Sequence, residues 1–213
     1  METKIIKFSG TDYRQKDIAA IGQMLRKGEL AVIPTETVYG LAADGFSTDA
    51  CHKLYDVKNR PHNKPVSLLL ADVADLFSVA ANIPKSARIL AEKFMPGPLT
   101  LVIEKNSRVP NLIAGNGVTI GVRIPACDLT RAIIRSAGVP LATTSANLSG
   151  NPPPVDAKSA FNELAGKVTL IVDGGKTQIK VPSTVVDCTG DDLLVLRQGT
   201  ISEAALLEAC KNL

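Results

Sequence analysis

The sequence predicts an α/β domain, a mixed β-sheet flanked by helices. Two observations carry that expectation. About seven or more apolar runs of strand length alternate with amphipathic helical stretches along the chain. The last strand candidates follow one another with only short turns, which a wholly parallel sheet does not permit. With 213 residues, 45% hydrophobic and 21% charged, one such domain can bury a full core.

The elements justify themselves in order. Ile18, Ile21 and Leu25 repeat at helical spacing, and Gly28 closes that helix. Leu30-Ala31-Val32-Ile33 reads as a buried strand stopped by Pro34. Ser47 or Thr48 can cap a helix that carries Cys51, Leu54 and Tyr55 on one face. Residues 66–70 form a strand, Asp72 begins a short helix, and Pro84 suits the first position of the next. Residues 99–103 and 118–123 are strands, and Asp128 can cap a helix running through Ile134. Leu141 and its neighbours make a short strand before a loop of Thr, Ser, Asn and Gly. Asp156 caps a helix through Leu164, then residues 168–172, 184–187 and 193–196 are strands. Ser202 caps a last helix through Ala209. Asn151-Pro152-Pro153-Pro154 reads as a rigid loop rather than a boundary, so the expectation is one domain over residues 1–213.

Composition narrows the function classes. No apolar run approaches the roughly 18–20 residues of a membrane span, so no membrane partner is expected. The start lacks the apolar stretch of a secretory signal, which points to the cytoplasm. Four cysteines at 51, 127, 188 and 210 contain no C-x-x-C pair and stand beside only two histidines, so four buried thiols are expected rather than a metal site. A formal charge of +3 suits a pocket for anions better than a broad nucleic-acid surface. Two motifs fail on spacing. Gly174-Gly175-Lys176-Thr177 ends like a P-loop, but Leu170 occupies the position of its first glycine. Gly115-Asn116-Gly117 with Gly121 places the third glycine of a dinucleotide fingerprint one position late and before a strand.

Three polar segments carry the chemistry: Pro34-Thr35-Glu36-Thr37-Val38-Tyr39-Gly40-Leu41, Lys58-Asn59-Arg60-Pro61-His62-Asn63-Lys64-Pro65, and Thr143-Thr144-Ser145-Ala146-Asn147-Leu148-Ser149-Gly150. Each follows or interrupts a strand, where the loops of an α/β sheet converge on ligands. Lys58, Arg60 and Lys64 could surround a polyanion such as a triphosphate. The residues alone leave open whether that loop is a phosphate site or a solvated basic turn. They likewise leave open whether the hydroxyl-rich segment is a site or turn chemistry. Glu36 and Asp187 could serve as bases or simply hold loops.

Taken together, these segments resemble the YrdC-domain family, whose activity is L-threonylcarbamoyladenylate synthesis. The resemblance continues through Pro96-Gly97-Pro98-Leu99-Thr100-Leu101, Gly121-Val122-Arg123-Ile124-Pro125, Pro182-Ser183-Thr184-Val185-Val186-Asp187 and Arg197-Gln198-Gly199, in the family's order and over roughly residues 30 to 200. It implies the short, single-domain form, with a twisted mixed sheet around a positively charged cavity. It also implies a nucleotidyl transfer. Threonine's amine takes up bicarbonate or carbon dioxide, and the carbamate attacks the α-phosphate of ATP. Pyrophosphate leaves, with Mg²⁺ assisting. A separate tRNA threonylcarbamoyl-transferase assembly then modifies adenosine 37 of ANN-decoding tRNAs, so this chain's own tRNA binding would be weak or indirect.

The resemblance assigns residues by position. Lys58 and Arg60 match the K-x-R positions at ATP and Ser145 and Asn147 the S-x-N positions, and these four would form the catalytic group. Lys64, Thr119 and Arg197 would add nucleotide contacts. Thr35 or Thr37, Arg123, Thr143 and Ser183 would line the threonine end, with Arg123 able to pair with its carboxylate. Both Lys58 and Arg60 are expected to be exposed in the cavity. Two departures stand out. Leu69 occupies a place where some members carry a histidine near threonine. Pro152, Pro153 and Pro154 crowd a place where some carry a hydroxyl against the nucleotide. The competing readings are the carbamoyl-phosphate-using module of much longer hydrogenase-maturation chains, and a non-catalytic or diverged RNA-binding or ribosome-associated module.

Overall fold

The structure, a computed structural model, describes residues 2–10 and 13–211. Among them one mixed sheet of ten strands runs in the order β1-β8-β2-β3-β7-β4-β6-β5-β9-β10. The strands are β1 (Lys4–Lys7), β2 (Ala31–Ile33), β3 (Gly40–Asp44), β4 (Ser67–Leu69), β5 (Leu99–Glu104), β6 (Thr119–Arg123), β7 (Leu141–Ser145), β8 (Leu170–Asp173), β9 (Thr184–Asp187) and β10 (Leu194–Arg197). β8 is parallel to both β1 and β2, β4 to β6 and β5 to β9, while the remaining pairs are antiparallel. No helix among the described residues is long and apolar enough to cross a membrane.

The helices follow their sequence signals. α1 (Gln15–Arg26) ends before Gly28, whose φ of +80° is the left-handed value that glycine tolerates. α2 (Thr48–Lys58) begins where the Ser47 side chain accepts from the Ala50 N–H. A single 3₁₀ turn and α3 (Leu76–Val79) follow Asp72, and α4 (Lys85–Phe94) starts one residue after Pro84, which is its cap rather than its first helical residue. α5 (Asp128–Ala137) contains Asp128 in its first turn. Cys127 is the cap there, without a side-chain hydrogen bond, and Asp128 pairs with Arg131 instead. Asp156 and Ser202 cap α6 (Ala157–Leu164) and α7 (Glu203–Cys210) through their side chains. Only Cys51 and Cys188 are buried; Cys127 and Cys210 are half-buried, which corrects the expectation of four buried thiols.

Cross-strand register divides the core. On one face Val32, Leu41, Leu68, Leu101, Val122 and Ile171 pack against α2, α4 and α6. On the other, Ala31, Ile33, Ala42, Leu141, Leu170 and Val172 pack beneath α1 and α5. These two helices lie against each other so closely that a Cβ on Gly22 would sit 2.7 Å from the Ala137 nitrogen. α1 and α5 cover only part of their face. Toward β4, β6, β5 and β9 the residues of that same face change from aliphatic to Ser67, Gly121, Thr100 and Arg123. Successive strand side chains alternate between faces, so this change of residue type on one set of alternate positions places a polar surface on an otherwise apolar sheet.

Candidate active site

A cavity of about 290 Å³ opens over that polar surface. Its lining draws on the loop after β2 (Thr35, Thr37), β4 (Ser67, Leu69), β5 (Thr100), β6 (Arg123), β7 (Thr143, Ser145), the approach to β9 (Ser183) and β10 (Arg197), with Arg60 and Pro153 at its margin. All five residues expected at the threonine end therefore meet in one place. Of those expected at ATP, Arg60, Ser145 and Arg197 share the cavity, whereas Lys58, Lys64, Thr119 and Asn147 do not line it. Ser67 and Thr100 were not singled out from the sequence. Their signal was alternation, since Ser67 pairs with Thr143 and Gly121 on one face.

The hydroxyls are held rather than free. The Thr35 hydroxyl donates to Val38 O at 2.7 Å, so at its 2.8 Å contact with Thr37 it is the Thr37 hydroxyl that donates. It also accepts from the N–H groups of Thr37 and Val38. Thr143 donates to Leu141 O at 3.0 Å, and the Ser183 and Thr100 hydroxyls lie 2.8 Å apart. Arg197 donates twice to Ser183 O and once to its hydroxyl, which fixes the guanidinium beside the cavity wall. Burial, and then the nearby Arg123 charge, push Arg197 below the ordinary arginine range.

Lys58 contradicts its expectation. It is 2% exposed, because it continues the buried stripe Cys51, Leu54, Tyr55 at the next helical position. Its ammonium donates to the backbone carbonyls of Ser145 and Asn147. Burial and the Arg60 charge lower its pKa to about 8, with Glu163 acting against them. Asn59, left-handed at φ 49°, then turns the chain out of the helix. Arg60 consequently emerges at the cavity and donates to the Lys64 and Pro65 carbonyls. Lys64 is exposed beyond it. Asn147 is buried, and its amide donates to Leu148 O and Asn151 O, so it shapes the turn that Lys58 holds.

Arg123 is 7% exposed and already engaged. Its Nε donates to Gly97 O at 3.1 Å, and its Nη2 lies 2.7 Å from the Glu36 carboxylate. That contact is an ion pair rather than an aimed hydrogen bond, since neither atom gains directed hydrogen-bond geometry from it. Asp187 holds a turn, accepting from the backbone N–H and hydroxyl of Thr189. Leu69 stands in the cavity floor as the register predicts, and Pro153 reaches the wall while Pro154 O accepts from the Tyr39 N–H. Among the described residues no group of three or more His, Cys, Asp or Glu side chains is placed to hold a metal ion.

This chain matches the Sua5/YciO/YrdC family model, described as telomere recombination, over residues 23–199. It is 40% identical over 188 residues to the threonylcarbamoyl-AMP synthase of Bacillus subtilis (strain 168), covering 87% of this chain and 54% of that protein. It is 41% identical over 175 residues to the threonylcarbamoyl-AMP synthase of Pyrococcus abyssi (strain GE5 / Orsay), covering 82% and 52%. The solved structure of P. abyssi Sua5 complexed with L-threonine superimposes with a TM-score of 0.94 at 36% identity, covering 97% of this chain and 61% of that one. The chain thus spans about half the length of these curated relatives.

Proposed function

The chain belongs to the Sua5/YciO/YrdC family, and we propose that it synthesises threonylcarbamoyl-AMP from L-threonine, bicarbonate and ATP, as one domain working in the cytoplasm. The observation that carries this reading is one cavity lined together by the hydroxyls of Thr35, Thr37, Thr143, Ser145 and Ser183 and by Arg60, Arg123 and Arg197. Such a lining suits a small polar amino acid at one end and phosphate oxygens at the other.

In this reading threonine lies among Thr35, Thr37, Thr143 and Ser183, its carboxylate against the Nη1 side of Arg123. A buried hydroxyl partner left unpaired costs about 1–3 kcal/mol, which would favour threonine over an amino acid lacking its hydroxyl. The threonine amine first bonds to the carbon of bicarbonate, which loses water, to give a carbamate. A carbamate oxygen then bonds to the α-phosphorus as the bond to the departing pyrophosphate breaks. Arg60 and Arg197 stabilise charge on the phosphate oxygens, and the Ser145–Asn147 turn, held by Lys58, orients them. Lys64 and Thr119 contact the nucleotide only where it extends beyond the enclosed cavity. The donor set in the cavity is cationic and hydroxylic, so Mg²⁺ enters as the ion carried on the phosphates of MgATP. The product is a mixed anhydride that a tRNA threonylcarbamoyl-transferase assembly consumes.

The test is mass spectrometry of the protein incubated with ATP, Mg²⁺, bicarbonate and L-threonine, with each omitted in turn and with serine in place of threonine. The expected result is threonylcarbamoyl-AMP with matching pyrophosphate, lost on each omission and reduced with serine. ATP binding without product, together with salt-dependent RNA binding, would replace this reading with the RNA-binding one.

A further inference from the structure

The loop after β2 sends its side chains to two sides. Thr35 and Thr37 line the cavity, while Glu36 between them is 6% exposed and has no place in the reaction as described above. The Glu36 carboxylate lies 2.7 Å from Arg123 Nη2, and its Oε2 finds no partner among the described residues. Behind it is a second cavity of about 230 Å³, lined also by Thr35, Cys127, Asp128 and Thr177. The backbone fixes the loop independently of that carboxylate: Glu36 O accepts from the Ile179 N–H at 2.8 Å, and the Tyr39 hydroxyl bridges Gly174 N and Gly175 O.

A buried, imperfectly satisfied carboxylate adds little net stability, because desolvation offsets most of the attraction to its partner. What it supplies is direction and charge. Gly97 O and Glu36 together occupy the Nε–Nη2 edge of Arg123, which leaves the Nη1 side for a ligand in the cavity. Glu36 also balances the Arg123 guanidinium, whose charge reaches Arg197. Without Glu36 the Arg123 side chain would keep only the Gly97 carbonyl as an anchor, and two uncompensated cations would share one wall.

We propose that Glu36 is a positioning residue that holds Arg123 in the orientation that receives the amino-acid carboxylate, and so sets the affinity of the threonine end. This rests on the reading of that end given above. The effect reaches only ligands bearing a carboxylate, which separates it from a general structural role.

The experiment is calorimetric titration of the wild-type protein and Glu36→Gln with L-threonine, with L-threoninol and with ATP, alongside thermal melting. L-Threoninol keeps the amine and hydroxyl of threonine but has no carboxylate. Glu36→Gln is expected to weaken L-threonine by about tenfold, the equivalent of one charge-assisted hydrogen bond, and to leave L-threoninol and ATP within about twofold. Glu36→Asp, which keeps the charge on a shorter arm, is expected to fall between, and it carries the test if Glu36→Gln does not fold. In an Arg123→Met background the Glu36 substitution is expected to change nothing further. Unchanged L-threonine affinity, or equal weakening of L-threonine and L-threoninol, would overturn the proposal. A wild-type protein that binds ATP but no L-threonine would instead overturn the reading of the threonine end itself.

Discussion

Lys58 and Arg60 are two positions apart, yet they occupy different physical environments. Arg60 is half-buried at the cavity, donates to two carbonyls of its own loop and lies beside the Tyr55 hydroxyl, so Arg60→Ala is expected to melt within a few degrees of wild type. Product formation should nevertheless fall by about tenfold or more, because the proposed reaction sets this guanidinium against the phosphates. Lys58→Met removes the donor that two carbonyls share, and each unpaired buried group costs about 1–3 kcal/mol. Its melting temperature should drop as well as its activity. Wild-type melting in Lys58→Met would show that the Ser145–Asn147 turn stands without it. The pH dependence has a definite sign. Folding lowers the Lys58 pKa from 10.5 to about 8, so the folded state binds that proton less tightly than the unfolded one. Stability from this group is therefore full above pH 10.5 and is lost as pH falls through 8. A neutral amine still has N–H groups for both carbonyls. Urea unfolding near pH 7.5 and near pH 10 should show wild type gaining on Lys58→Met at the higher pH, and a constant gap would refute the assignment. The burial of Lys58 was readable in principle, since Cys51, Leu54, Tyr55 and Lys58 form one helical stripe. Lysine's usual exposure argued the other way. The Glu36–Arg123 pair was not readable, because nothing local joins residues so far apart in sequence.

At the scale of elements, the helices were legible wherever a side chain performs the capping, as Ser47, Asp156 and Ser202 do. Asp128 misled by one position because a first-turn acid and a cap have the same composition signal. β3 was missed. Gly40-Leu41-Ala42-Ala43-Asp44 has no β-branched or aromatic residue, and its strand state comes from pairing with β2 and β7 on both sides. β1 was missed because four residues at a sheet edge, three of them exposed, carry too little pattern. Small residues in these strands have a use that propensity does not reveal. A Cβ on Gly121 would lie 2.9 Å from the Ser67 hydroxyl and 3.1 Å from a Thr100 methyl. Ser67 can rotate away, so Gly121→Ala should cost only about 1 kcal/mol of stability. The added methyl, however, projects between two residues of the cavity floor. L-Threonine saturation should shift to higher concentration by about tenfold while melting falls by only a few degrees. Unchanged saturation with the same drop in melting would mean that the floor at β6 does not touch the amino acid.

For the whole molecule, the decisive feature is a sheet face covered over only part of its width. α1 and α5 lie over β1, β8, β2 and β3, and the polar face beyond them becomes the cavity. The mixed α/β class was legible because strands and helices alternate. The strand order was not, because it depends on which edges meet after long connections. That order brings Thr35, Arg123, Thr143, Ser183 and Arg197 from five separate segments to one wall. A cavity of about 290 Å³ stands at the small end for ligand sites, so on the proposed reading it would enclose the amino acid and the reacting phosphate while the rest of the nucleotide extends past Arg60. Both ligands then bind only the folded protein, at adjoining and not overlapping places. Each at about 100 times its Kd should add about 2.7 kcal/mol, which for a chain of this size raises melting by about 5–10 °C. L-Threonine and an α,β-methylene analogue of ATP, which cannot release pyrophosphate, should therefore raise the melting temperature separately and by at least the sum together. A combined shift no larger than the greater single shift would mean that the two compete for one place. The cavity would then hold either ligand but not the pair, and attack of a carbamate on the α-phosphate could not occur within it.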